Sequence, residues 1–422
     1  MTAPRSATTR RAALLGAAAL VVACRPAARA ALPDAAPNTP VRPPALAPSA
    51  TAASRSGTLG ATATFDEDTV AAGIQATLDR QAAARSAADR EAFTATVDQR
   101  NLVWRRIQSE AFAAATARGA QPGPTYRVTR IEPKQAGYVK AWIDVLPPNG
   151  SEPTAQGVWV FREAENGWLH TEILNEELGP RKTLETEHFT LLYYEWDDDV
   201  IERVGATAER AHARILSKTG LGPSVRPTIN VNPTYGSHSA LRGFGTWALY
   251  MSGSDTILIR SLESYGAGMT APGEAPEDRL LVALTHEYGH LVNNSVVSTV
   301  KMPKWMVEGF AEYVADNLRA GSLLSALRGG RTMTLDRASE IIEWGEDPGR
   351  GFTGADLDLA YAHSAHATTY FMERFGQDRF FALATEFADT RRWEPAFQTH
   401  AGIAWSDFER DWVAWARRRY GL

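Results

Sequence analysis

His286 and His290 stand four positions apart with a carboxylate between them, in the run His286-Glu287-Tyr288-Gly289-His290. Four residues is just over one helical turn, so both imidazoles lie on one face and can share a tetrahedral zinc ion. Glu287 falls next to that face, within reach of a water on the ion, where a carboxylate acts as general base. The flanking residues support a helix. Leu280, Leu281, Leu284, Tyr288 and Leu291 form one apolar face. The histidines lie nearly opposite, beside Ala283 and Gly289, small residues expected to leave room above the imidazoles. The rest of the fold has to cover one side of this helix and leave the other to a metal.

A third ligand must come from elsewhere. The metzincin pattern needs glycine at position 293 and histidine at 296, where this chain has Asn293 and Val296. Downstream comes Pro303-Lys304-Trp305-Met306-Val307-Glu308-Gly309-Phe310-Ala311-Glu312-Tyr313. Trp305, Glu308, Glu312 and Ala315 share one helical face, while Met306, Val307, Phe310, Ala311 and Val314 are apolar. A helix apolar nearly all round is buried, and buried carboxylates need partners.

Together the two segments closely resemble the gluzincins, zinc metallopeptidases of the MA clan, over roughly Thr186 to Gly376. Their third-ligand helix carries a tryptophan, Glu-Gly, a small residue and then an acid. The resemblance implies one Zn2+ per chain held by His286, His290 and Glu308, with Glu312 orienting His286 from behind. An exchange of roles between Glu308 and Glu312 stays open, as does an aspzincin arrangement using Asp356 or Asp358. It also implies that the segment Trp247–Met251, ahead of the zinc helix, is an edge strand binding substrate backbone. In Tyr361-Ala362-His363-Ser364-Ala365-His366, Tyr361 is the first candidate to stabilise the oxyanion, with His363 and His366 as alternatives. Tyr361 fits equally well as a core aromatic in phase with Ala365, Thr368 and Met372. No aminopeptidase motif such as GAMEN is present, which favours an endopeptidase or a narrow processing enzyme.

The chain has 422 residues, enough for two domains and tails. Its net charge of −5 and the absence of a basic stripe speak against nucleic acid as a partner. The fold class expected is α+β, in two parts. Residues 65–180 read as an α+β roll: helical over Asp66–Arg118, then strands at Tyr126–Ile131, Tyr138–Leu146, Gly157–Arg162 and Trp168–Ile173. By element order alone this part resembles the cone-shaped ketosteroid-isomerase or nuclear-transport-factor-like fold. Residues 181–422 read as a zincin-like domain with a small mixed sheet, an edge strand, the zinc-binding helices and a helical C-terminal part. Its early elements are a strand at His188–Tyr194, a helix at Asp199–Thr219, a strand at Thr228–Val231 and a hairpin around Ser252-Gly253-Ser254-Asp255. The tryptophan-rich stretch Trp405–Leu422 closes it as a helical element without chemistry.

Cys24 is the one cysteine, which excludes an internal disulfide framework and any cysteine-based metal cluster. Arg5, Arg10 and Arg11 precede an apolar run, Ala12–Ala23, too short to span a bilayer comfortably. It ends Val21-Val22-Ala23-Cys24, which resembles the lipobox of bacterial lipoproteins. That resemblance implies a signal peptide over 1–24, an acylated Cys24, and a protein exported and anchored at the outer face of a bacterial membrane. An ordinary secretory signal cut after Ala28-Arg29-Ala30 is the competing reading. Residues 25–64, rich in Ala, Pro, Ser and Thr, read as a disordered tether.

The sequence therefore points to a zinc-dependent peptidase acting on peptides or proteins outside the cytoplasm. The rival is a catalytically silent surface protein with structural zinc that binds peptide or cell-wall components. Against it stands Glu287, for which a structural site has no use.

Overall fold

The structure is a computed structural model and describes residues 66–422 apart from 118, 149, 224, 238–246 and 267–272. The expected signal peptide, Cys24 and the tether over 25–64 lie outside the described residues.

The first unit opens with three helices, each started by a side chain that accepts a backbone N–H. Asp66 caps α1 (Glu67–Ala87), Asp89 caps α2 (Arg90–Thr94) and Asn101 caps α3 (Leu102–Ala115). An antiparallel meander follows: β1 (Thr125–Pro133), β2 (Tyr138–Leu146), β3 (Ala155–Ala164) and β4 (Gly167–Thr171), neighbours in that order. Ile74, Leu78 and Ala82 of α1 lie on the sheet's apolar face, against Tyr126, Ile131, Ala141, Ile143 and Phe161. Helices first and a meander second is the order the sequence implied.

The second unit begins with a strand the sequence did not reveal, β5 (Arg181–Glu185). Its pattern is Arg-Lys-Thr-Leu-Glu, alternately half-buried and exposed, as suits a solvated edge with one apolar anchor, Leu184. The strand expected from His188 starts at Thr190, because a turn between Thr186 and Phe189 uses the preceding backbone. That strand, β6 (Thr190–Tyr194), leads to α4 (Ile201–Thr219), then to β7 (Thr228–Asn232), β8 (Ala248–Met251) and β9 (Thr256–Arg260). The order in the sheet is β5-β6-β7-β9-β8. It is mixed: β6–β7 and β7–β9 are parallel, β5–β6 and β8–β9 antiparallel. β8 thus lies at an edge, as expected for Trp247–Met251.

Helices fill the rest: α5 (Pro276–Val296), α6 (Lys304–Ala315), α7 (Ala320–Arg328), α8 (Leu335–Trp344), α9 (Gly354–Phe375), α10 (Gln377–Thr390), α11 (Trp393–His400) and α12 (Trp405–Arg419). No described helix is long and apolar enough to cross a membrane. Trp305 of α6 packs with Trp393, Trp405 and Phe408, so the tryptophan-rich tail braces the helix that carries Glu308. The two units meet over charge as well as apolar surface. Lys140 of β2 is fully buried and pairs with Asp199 and Glu263 of the second unit, while Lys134 also reaches Asp199.

Candidate metal centre

His286 and His290 project from the middle of α5, and Glu308 from the second turn of α6. Two glycines let these helices come together. A Cβ on Gly289 would stand 2.7 Å from Val314 Cγ2 and 3.3 Å from Ala311 Cα, so α6 runs directly over that position. The expectation that Gly289 leaves room above the imidazoles is corrected: α6 takes that space. On the far side of α6, a Cβ on Gly309 would lie 2.5 Å from the Ser364 carbonyl oxygen of α9. Glu308 sits between these two close crossings, which fixes its backbone relative to the histidines.

The three side chains converge at metal-ligand distances. His286 Nε2 and His290 Nε2 are 3.1 Å apart, and each lies 3.4 Å from Glu308 Oε2. A tetrahedral ion with bonds of about 2.0–2.1 Å sets its ligands about 3.3 Å apart. All three residues are buried, and Glu308 Oε2 has no hydrogen-bond partner. A buried carboxylate oxygen left without a donor is costly, and a cation between the three ligand atoms removes that cost.

The electrostatics agree. Burial works against a charged His286, yet Glu308, Glu312 and Glu287 outweigh it and raise the imidazole to about 9. Burial likewise opposes ionisation of Glu308, but His290 and His286 hold its carboxyl well below the usual range. The pocket is built for a positive charge, and the cluster can hold a metal ion.

Residues 278–418 match the family model of the Peptidase MA superfamily. The match runs from the first turn of α5 into α12 and takes in all three candidate ligands, which supports a zincin-like, metallopeptidase-type domain. No curated protein matches the chain.

Around the cluster, Glu287 is buried, and its Oε2 accepts a 2.7 Å hydrogen bond from the backbone N–H of Tyr250 on β8. Glu312 Oε1 lies 3.8 Å from His286 Nδ1, a neighbour but too far for a hydrogen bond. The same oxygen accepts from Arg319 Nε at 3.1 Å and Nη2 at 2.8 Å. Arg319 also donates to Asp358 and stacks on the Tyr361 ring, 4.7 Å from its centroid. Asp358 is therefore engaged away from the metal cluster, and Asp356 closes the capping box of α9 with Thr353. Both candidates of the aspzincin alternative are thus occupied elsewhere.

Tyr361, His363 and His366 are all fully buried on α9. Both ring nitrogens of each histidine are engaged: His363 with Leu359 O and Met333 N, His366 with Ala362 O and Tyr420 Oη. Tyr361 packs among Ala338, Ile341, Phe352 and Leu357, beside Arg319.

Sequence reasoning missed Arg319 and the Tyr250 N–H. A buried Glu312 signals that some cation must reach it. Which one depends on the turn after α6, where Asp316 and Arg319 both take left-handed backbone (φ 57° and 49°) and return the Arg319 side chain to α6. Such φ values are uncommon for these residue types and are held by the surrounding packing.

Proposed function

We propose that the chain is a zinc-dependent peptidase hydrolysing peptide bonds in proteins or peptides outside the cytoplasm. The observation that carries this reading is the His286–His290–Glu308 cluster at tetrahedral spacing, beside a Glu287 carboxylate held against an edge strand. A metal-ligand set alone fits a structural site; a buried carboxylate next to a ligand in sequence and bonded to the backbone of an edge strand fits catalysis.

His286, His290 and Glu308 would hold the ion, and zinc bound there supplies a Lewis acid that polarises the peptide carbonyl and acidifies water. Glu287 removes the proton from the attacking water and delivers it to the leaving amine. Its hydrogen bond from the Tyr250 N–H fixes the carboxylate for both transfers. The other outward backbone groups of β8, an edge strand among the described residues, align the substrate backbone by strand addition. Glu312, ion-paired with Arg319 and a neighbour of the His286 ring, orients His286. Tyr361 stays the first candidate to stabilise the oxyanion, on the family resemblance alone. The lipid on Cys24 belongs to the same proposal and rests on the sequence alone; it would place the enzyme at the outer face of the membrane.

The test is zinc content together with hydrolysis of casein and a peptide library, by residues 65–422 and by the Glu287→Ala variant. Cleavage lost in the variant while one zinc per chain remains is the expected result. Zinc without cleavage by either protein would favour the silent surface protein. Absence of zinc from both would overturn the reading.

A further inference from the structure

A cavity of about 220 Å3 lies where the first unit meets the mixed sheet. Trp104 of α3 and Trp159 of β3 line it from the first unit. Tyr235, just past β7, and Trp247, just before β8, line it from the second. The volume suits one long side chain, since sites for drug-sized ligands start at about 300 Å3.

Two carboxylates line the cavity, and they differ in compensation. Glu263 is ion-paired with Lys140. Glu172 is half-buried and has no ion pair among the described residues; its two oxygens accept from the Tyr235 N–H at 3.3 and 3.2 Å. The Arg260 guanidinium sits 3.4 Å over the Tyr235 ring. Burial pushes Glu172 up to about 7, and Arg260 offsets this only in part. A half-buried carboxylate that lines open space without an ion pair is a binding group for a cation.

The cavity also has a fixed relation to the metal cluster. Arg260 N donates to Trp247 O, so these residues face each other across β9 and β8 with side chains on one face of the sheet. Tyr250 has the opposite parity, and its hydroxyl meets Asn294 of α5 on the other face. Trp247 precedes Tyr250 by three residues, about 10 Å along a strand. Among the described residues no strand pairs with the outer side of β8; a peptide added there turns alternate side chains toward the cavity, and one about three residues from the reacting bond reaches it.

We propose that this cavity is a substrate subsite for a basic side chain, Lys or Arg, of a peptide lying along β8. The proposal rests on the peptidase reading above. Glu172 meets the charged head, and the aliphatic stem lies against the indoles that line the cavity. The first unit thereby sets specificity for chemistry done on the second.

The test uses an acetylated, amidated nonapeptide of alanine with one central lysine, and its counterpart with norleucine, which has a similar stem and no charge. Both are titrated calorimetrically into full-length Glu287→Ala protein, which cannot consume them. The lysine peptide should bind about tenfold more tightly, as for a hydrogen bond to a charged group. Adding Glu172→Gln should bring the ratio near one. Equal binding of the two peptides, needing no variant at all, overturns the proposal, as does a lysine preference that survives Glu172→Gln. Wild-type hydrolysis separates the two readings. Lysine-selective binding without hydrolysis sinks the peptidase and leaves the cation subsite; hydrolysis without selectivity sinks the subsite alone.

Discussion

The backbone N–H of Tyr250 donates to the carboxylate of Glu287 across 2.7 Å. In the β8–β9 ladder Arg260 N bonds Trp247 O, so with residues 248, 249 and 250 opposite 259, 258 and 257, the N–H groups of Ala248 and Tyr250 point off the sheet. Glu287 therefore bonds the outward backbone of an edge strand, not a side chain, and any residue at 250 that keeps its N–H can make the contact.

Tyr250→Pro removes this N–H without removing a ladder bond, which an edge strand tolerates. Compared with Tyr250→Ala, which keeps the N–H, it should lower kcat/KM by about 10- to 100-fold, the worth of a hydrogen bond to a charged group. Zinc content should be equal in the two variants. Equal kcat/KM in both would show that Glu287 is positioned by something else.

Gly309 is the contact point of α6 and α9. An added Cβ meets the Ser364 carbonyl, which is main chain and cannot rotate away. Gly309→Ala should destabilise by about 1–3 kcal/mol through overpacking, and displace the adjacent Glu308 enough to weaken zinc binding. Thermal melts and competition with a chelator read the two effects. Adding Thr368→Ala, which clears the side-chain clash but not the carbonyl, should restore neither.

The chemistry was legible in the sequence because it is local: a turn of helix places His286 and His290, and the Trp305–Glu312 stretch announces a buried acidic helix. The meander of the first unit was equally legible, since its strands are set off by turn residues. What surrounds the ligands was not. Gly289 and Gly309 look like small residues near a site; only the crossing of α5, α6 and α9 shows that each glycine is a helix contact. β5 escaped because an edge strand with one apolar residue carries no period, and the cavity escaped because its walls come from segments more than a hundred residues apart, Trp104 and Trp247 among them.

Arg319 is the main cation facing Glu312, which is itself fully buried. Arg319→Met should destabilise by about 3–5 kcal/mol, the cost of leaving a buried charge without its partner. Combining it with Glu312→Gln should recover part of that loss, because the charge is then gone. Zinc affinity should fall about 10- to 100-fold in both proteins, as for loss of a group that orients a ligating histidine. Urea unfolding with calorimetric zinc titration checks the pair; recovered stability without recovered affinity is the expected signature. Full recovery of affinity in the double variant would show that Glu312 does not serve His286.

Asp197 gives the junction of the two units a pH dependence. It is fully buried, with Oδ1 accepting from Ser261 Oγ at 2.5 Å and Oδ2 without a partner. Burial pushes its carboxyl up from 3.8 to about 7, Glu263 adds to this, and Ser261, Lys140 and Lys134 draw it down. The folded state thus holds the proton more tightly than the unfolded chain. Stability from this group is fully present below about pH 4 and is lost as pH rises through about 7. Asn mimics the protonated acid, so Asp197→Asn should match the wild type only below about pH 4, and its advantage should grow between pH 5 and pH 8.5 by an amount of the order of 1–3 kcal/mol. Every other titrating group is common to both proteins, so the difference between their urea midpoints isolates Asp197. A difference that stays constant between the two pH values would show that Asp197 is ionised in the folded protein, held by the lysines across the junction.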